Sequence, residues 1–397
     1  MQNKDTWLLP EGIGEVLPER AEHLERLRAK LLETFAAWGY RLVIPPFVDF
    51  LRSLLTGSAH DLESQTFKLT DPLSGETLGV RADMTPQVAR IDAHHLQHPW
   101  PNRLCYAGTV LHAVGDPLEK SRSPMQIGAE LYGHSGLESD YEAIQLMLEM
   151  LAISGIQNVH LDLGHVSIYR GLVELAGLNV AQEAELFDVL QRKAGAELVE
   201  LVERFPVGDG FKTIFNALPK LNGGQDVLDQ AAKLLAGIDA NGILAAALAD
   251  LRGIADRLRR DYSALSLSFD LAELRGYHYH TGIVFAAFVP SLGREIARGG
   301  RYDNVGQVFG RARAATGFSA DLKVLATFYD VSADAPVRTV FAPYCEDADL
   351  RETVRDLRAS GVQVIQQLPG QQGAAEDMGC NAILEKQAQR WVVKSLA

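Results

Sequence analysis

The residues best suited to chemistry in this 397-residue chain are Gln126 and Glu130, which sit in the segment Met125–Tyr132 with Gly128 between them. Strand alternation puts Met125, Ile127, Ala129 and Leu131 on one face and Gln126, Gly128, Glu130 and Tyr132 on the other. The second face then carries an amide, a gap and a carboxylate, the floor of a small pocket that suits an amino or imidazole donor. A strand with one face in water reads the same way from this segment alone. Two other stretches offer similar groups. In Gly79–Arg90, Thr85-Pro86 opens a helix with Thr as N-cap and Pro in the first helical position, so Arg81 and Asp83 end the extended segment before it. In Leu274–Phe288, alternation aligns Arg275, Tyr277, Tyr279 and Thr281 on one side and His278 with His280 on the other.

These stretches resemble the histidyl-tRNA synthetase branch of the class II aminoacyl-tRNA synthetases, over roughly residues 5–330. Arg81-Ala82-Asp83-Met84-Thr85 is similar to the Arg-Pro-Glu-Gly-Thr segment whose acidic residue and Thr hold the amino group of histidine. Gln126 and Glu130 stand where the second strand of motif 2 meets histidine. Arg275-Gly276-Tyr277-His278-Tyr279 resembles the histidine-specific Arg-Gly-Leu-Asp-Tyr segment, and Gly299-Gly300-Arg301-Tyr302-Asp303 repeats a further family segment. The resemblance implies a histidine pocket of Asp83, Thr85, Gln126, Glu130, Arg275, Tyr279 and Tyr302. In it Asp83, Thr85 and Gln126 take the ammonium, Arg275 the carboxylate, Glu130 and Tyr279 the imidazole, and Tyr302 closes the site.

The departures matter as much. Synthetases of this class clamp ATP with one arginine in motif 2 and one in motif 3, because a guanidinium matches phosphate geometry and stabilises charge at the reacting phosphorus. Here those positions hold His112 and Val324. A pocket kept without its ATP clamp resembles the regulatory subunits of ATP phosphoribosyltransferase, a family related to the synthetases. That likeness implies a non-catalytic chain with no catalytic residues, no metal and no cofactor. It also implies a role in histidine biosynthesis, histidine as effector, and a separate short-form catalytic subunit as partner. An active histidyl-tRNA synthetase and a stand-alone histidine sensor are the alternatives.

The elements that position these residues read as an α+β fold, with a mostly antiparallel sheet flanked by helices over residues 1–331. Leu24, Leu27, Leu31, Phe35 and Trp38 give one apolar helical stripe ending at Gly39, followed by a strand over 40–44 that stops at Pro45-Pro46, a sheet-edge signal. By resemblance this is dimer territory; a helix covering the chain's own sheet fits the spacing equally. Residues 51–78 read as a loop and then a hairpin around Asp71–Gly75. Helices follow one another from about 167 to 261, including 181–205 and 243–258, and resemble the family's helical insertion. After a linker at 331–336, residues 336–397 form a small α/β region of near-balanced charge.

Composition narrows the setting. With 47% hydrophobic and 22% charged residues the chain is globular, and a net charge of −13 argues against a general nucleic-acid surface, so tRNA is not an expected partner. Cys105, Cys345 and Cys380 are too scattered for a disulfide framework or zinc site, and a cytoplasmic location is expected. No run has the length of a membrane span, and the N-terminal residues lack the order of a signal peptide. His94 and His98 share a helical spacing of four but have no further ligands at matching spacing; ordinary surface histidines are the expectation.

Overall fold

The apolar alternation of Met125–Tyr132 places this strand inside a sheet with both faces covered, so its residues from Ile127 onward are all buried. The structure, a computed structural model, describes residues 8–55, 59–115, 121–274, 276–277, 279–330 and 338–396, except the side chains of 59–61. Two compact units divide the chain, Met1–Tyr329 and Asp330–Ala397.

The first unit is built on a nine-stranded sheet. Its spatial order is Arg41–Leu42, Asn102–Thr109, Met125–Tyr132, Ala315–Asp321, Glu295–Arg301, Ile283–Phe288, His160–His165, Ser266–Asp270 and Asn222–Gly223. The pairings are antiparallel except where Arg41–Leu42 meets Asn102–Thr109 and where His160–His165 meets Ser266–Asp270. The functional segments are distant in sequence but adjacent here: Gly317 pairs with Glu130, and Gly300 with Gly317.

The helix Pro18–Ala37 buries the predicted stripe of Leu24, Leu27, Leu31 and Phe35 against this chain's own sheet, with Phe35 meeting Phe318 edge-on at 6.0 Å. Phe318 alternates with Gly317, so this helix packs on the face opposite Glu130. The helix Leu137–Ile153 is tied in alongside: Trp38 donates to Glu149 at 2.9 Å, and Arg103 clamps Glu142 through two nitrogens at 2.6 and 2.7 Å. The Pro45-Pro46 exit is pinned through its carbonyls, which accept from Arg81 at 2.7 Å and Gln87 at 2.9 Å.

Several expectations need correction. The alternating strand from Leu274 begins only at Ile283; Gly276, Tyr277 and Tyr279 lie in turns, and Tyr279 and His280 both donate backbone N–H groups to Gly276 O at 2.8 Å. Gly276 adopts φ 66°, a left-handed conformation that glycine tolerates and that ends strand alternation. Tyr277 and Tyr279 therefore do not share a face. The stretch 51–78 contains the helices Leu51–Leu54 and Ala59–Gln65 before its hairpin of Lys68–Thr70 and Thr77–Val80. The long helix expected over 181–205 is two helices, Val180–Gln191 and Gly195–Arg204, broken where Lys193 takes φ 52°. Thr85 is the first residue of the helix Thr85–His94, with Met84 in the cap position. The Thr85 hydroxyl is engaged elsewhere, and the Asp83 carboxylate accepts from the Thr85 backbone N–H at 3.0 Å.

The second unit pairs Gln363–Gln366, Thr339–Ala342, Ala382–Gln387 and Arg390–Ser395 in that order, the first two pairings parallel and the last antiparallel. Its core joins Val340, Ala342 and Leu384 to Leu350 and Val354 of the helix Ala348–Ala359.

Candidate functional site

Glu130 is 2% exposed, and its carboxylate accepts from three hydroxyls: Tyr106 at 2.9 Å, Thr85 at 3.1 Å and Tyr302. Each donor comes from a different element, so the sheet and the start of the helix Thr85–His94 must both be in place to form the cage. Two glycines make room for it. A Cβ on Gly317 would fall 1.7 Å from Glu130 Oε2, and one on Gly128 would fall 2.6 Å from the Tyr106 hydroxyl. The gap at Gly128 thus admits Tyr106 rather than leaving an open floor.

Burial pushes the Glu130 carboxyl up to about 8, against the pull of the Tyr302 and Tyr106 hydroxyls; the charge of Asp83 raises it further. Tyr106, Tyr132, Tyr279 and Tyr302 are all held protonated well above the ordinary phenol range, chiefly by burial and by the nearby Glu130 charge.

Asp83 organises the other end. Its Oδ1 accepts from Gln126 Nε2 at 2.7 Å and from the Thr85 hydroxyl at 3.2 Å, while Gln126 Oε1 accepts from the Met84 N–H at 2.9 Å. Thr85 therefore links the Asp83–Gln126 pair to Glu130. Tyr279 stacks on Tyr302 with ring centroids 4.9 Å apart, and its buried hydroxyl has no hydrogen-bond partner among the described residues. A buried hydroxyl left unpaired costs free energy, which a ligand atom can recover. A cavity of about 340 Å³ opens beside Asp83, Thr85, Glu130, Tyr279 and Tyr302.

The structure thus brings together six of the seven expected residues: Asp83, Thr85, Gln126, Glu130, Tyr279 and Tyr302. Arg275 and His278 lie outside the described residues. His280 also lines the cavity. Its Nδ1 donates to Arg301 O at 3.3 Å, and burial pushes its pKa down to about 4, so it is a neutral imidazole at pH 7. The cavity continues past His280 to Asp162, Glu273, Glu295 and Arg298, for which no residue spacing signals a shared site. Among the described residues Asp162, Asp270 and Glu273 bring carboxylate oxygens within 4.8 Å of one another; Ser268 donates to Asp162 at 2.7 Å. Arg301 is structural: it is buried against Asp140 at 2.8 Å and also donates to Ser139 at 2.9 Å. His94 and His98 part company, His94 facing Phe309 and His98 stacking on Trp100 at 4.7 Å.

Residues 12–325 match the family model described as histidyl-tRNA synthetase, and residues 337–394 match the ATP phosphoribosyltransferase subunit HisZ C-terminal domain. The ATP phosphoribosyltransferase regulatory subunit of Alkalilimnicola ehrlichii is 53% identical over 98% of this chain and 97% of its own. The chain belongs to the ATP phosphoribosyltransferase regulatory subunit family. The protein of the same description from Methylococcus capsulatus is also 53% identical, over 99% of this chain and 97% of its own. A crystal structure from Bacillus halodurans, described as an ATP phosphoribosyltransferase regulatory subunit/histidyl-tRNA synthetase, superposes with a TM-score of 0.83 at 27% identity, covering 95% of this chain and 97% of that one. Histidyl-tRNA synthetase from Nostoc sp. PCC 7120 shares the fold, with a TM-score of 0.76 at 18% identity over 98% of this chain and 97% of that one.

For a regulatory subunit of this family, the two positions that resemble the ATP clamp are instructive. His112 directs Nε2 at the Ala82 carbonyl, 3.1 Å away, and its backbone N–H donates to Arg122 O at 2.8 Å. Val324 lies in the short helix Leu322–Leu325 beside a second cavity of about 530 Å³ and offers no donor. Arg81 does not replace them: its guanidinium donates to Thr109 O at 2.9 Å and to Pro45 O. No helix among the described residues is long and apolar enough to cross a membrane.

Proposed function

We propose that this chain is the non-catalytic regulatory subunit of an ATP phosphoribosyltransferase and that its polar cavity binds free histidine as the effector. The observation that carries the histidine reading is the meeting, in one cavity, of the caged Glu130 with the Tyr279 hydroxyl, which has no partner among the described residues, with the Asp83–Gln126 network at the other end. The α-ammonium takes Asp83, Thr85 and Gln126, since an acidic group and neutral acceptors match its three donors. The imidazole lies between Glu130 and Tyr279 with Tyr302 behind it, and Arg275 pairs with the carboxylate.

The partners follow from the same reading: a separate short-form catalytic subunit, and a second copy of this chain. The edge strand Arg41–Leu42 and the residues after it leave Leu42, Ile44 and Phe47 exposed, which supports self-association at that edge. The complex works in the cytoplasm.

Calorimetric titration of the full chain with histidine tests the pocket. Wild type binds, and Glu130→Gln loses roughly 1.5–3 kcal/mol of affinity, the worth of a hydrogen bond to a charged group. No binding by wild type refutes the histidine reading. The synthetase alternative is tested by histidine-dependent pyrophosphate exchange, which stays at background because His112 and Val324 supply no guanidinium.

A further inference from the structure

Tyr277 and Tyr279 belong to one turn region and leave it in opposite directions. Tyr279 enters the cavity and stacks on Tyr302 at 4.9 Å. Tyr277 is 5% exposed and is held by two helices instead. From the helix Val166–Leu175, Tyr169 meets its ring edge-on at 5.0 Å, and the Arg170 guanidinium sits 4.8 Å from the ring centroid. From the helix Val180–Gln191, Phe187 packs on it at 5.5 Å and Glu183 accepts from its hydroxyl at 2.6 Å. Arg170 also donates to the Tyr277 carbonyl at 2.6 Å, and Tyr169 donates to the Glu183 carbonyl at 2.9 Å, so both helices and the turn share one network. The helix Val180–Gln191 then runs on to the cavity, which Gln191 lines, and just beyond it Lys193 lies 3.6 Å from Asp270.

We propose that Tyr277 is a positioning residue of the histidine site, fastening the turn that carries Tyr279 to the helix Val180–Gln191 so that pocket and helix are held, or released, together. The proposal rests on the histidine reading above. Tyr277 points away from the cavity and acts through Tyr279. Gly276, at φ 66°, lets the backbone turn but also gives it the widest choice of other conformations. A turn that samples other states binds ligand only in proportion to the time it spends in the competent one. The Tyr277 ring and its bond to a carboxylate hold the turn in that state before ligand arrives.

The effect is reciprocal by linkage. Whatever factor the anchor adds to histidine affinity, bound histidine adds to the stability of the anchor, and so to the helix that supplies Glu183 and Phe187. A tyrosine that merely filled the space between the helices would stabilise them by the same amount with and without histidine.

The test is calorimetry with histidine, together with hydrogen exchange of the full chain, for wild type, Tyr277→Phe, Glu183→Ala and the double variant. The two single changes break the same hydrogen bond from its two ends. Glu183 is only half-buried and alanine is the best helix former, so Glu183→Ala keeps the test open where Tyr277→Phe fails to fold. Each single variant is expected to bind histidine about tenfold more weakly, the lower end of what a hydrogen bond to a charged group is worth, and the double variant to bind no more weakly than the singles. In wild type, saturating histidine slows amide exchange within residues 180–191 by about the same factor, and in the variants that slowing is lost. Wild-type histidine affinity in both single variants overturns the proposal and leaves the histidine site standing; so does exchange over 180–191 that responds to histidine equally in all four proteins, or in none. Absence of any histidine binding by wild type instead overturns the site reading, and the proposal with it.

Discussion

Gly317 stands so close to Glu130 that a Cβ on it would lie 1.7 Å from Oε2 and 2.6 Å from the backbone oxygen of Ala129. The two residues are directly paired across neighbouring strands. Gly317→Ala therefore has to push the carboxylate out of its hydroxyl cage or spread two central strands. The expected cost is about 1–3 kcal/mol of stability, typical of overpacking, together with loss of histidine binding. Urea unfolding and calorimetry on the same preparation check both parts; full histidine affinity in this variant would show that the cage is not the ligand site.

The stability of the histidine-free chain should fall as pH rises from 6.5 to 8. Glu130 has a folded pKa raised from 4.5 to about 8, so the native state holds a proton that the unfolded chain releases, and its contribution is complete below 4.5 and lost as pH passes 8. His280 acts in the other direction and in another window. Its folded value is depressed from 6.5 to about 4, so its contribution is present above 6.5 and lost as pH falls through 4. Between 6.5 and 8 Glu130 acts without that opposition, at about 1.4 kcal/mol per pH unit and roughly 2 kcal/mol over the window. Chemical denaturation across that range should show the slope in wild type and a shallower one in Glu130→Gln. An identical slope in both would place the titrating group elsewhere.

Much of this site was legible because strand period two is a rigid rule: once Met125–Tyr132 is a strand, Gln126 and Glu130 must share a face. The helix Pro18–Ala37 was equally legible, since its apolar spacing matches one buried stripe. What failed was local. Leu274–Phe288 alternates in sequence, but Gly276 at positive φ turns the backbone, which sends Tyr277 to Tyr169 and Phe187 while Tyr279 reaches Tyr302. The role of Gly128 was also misread, because the group that occupies its gap, Tyr106, comes from another strand. Asp162 and Glu295 reach the cavity through sheet pairings that no sequence spacing encodes.

Tyr279 offers a test in which stability and binding move in opposite directions. Its hydroxyl is buried and has no partner among the described residues, so Tyr279→Phe removes a group that is costly to bury. Without added histidine the variant should unfold at equal or higher denaturant concentration, a gain of up to about 1 kcal/mol, while histidine affinity drops by about 0.5–1.5 kcal/mol, the net worth of a hydrogen bond. Thermal melts with and without saturating histidine read both effects. If stability and affinity fall together, the hydroxyl has a structural partner and is not waiting for a ligand.

The central claim is that this chain reports histidine to a separate catalytic subunit through Glu130. The direct measurement is turnover of a purified short-form ATP phosphoribosyltransferase catalytic chain while this protein is titrated in, with and without histidine, using wild type and Glu130→Gln in parallel. The account predicts that wild type raises turnover to a saturating level, that histidine then changes that level, and that Glu130→Gln still raises turnover but responds only at much higher histidine. A catalytic chain whose turnover is the same with and without this protein, at every ratio tested, would contradict it.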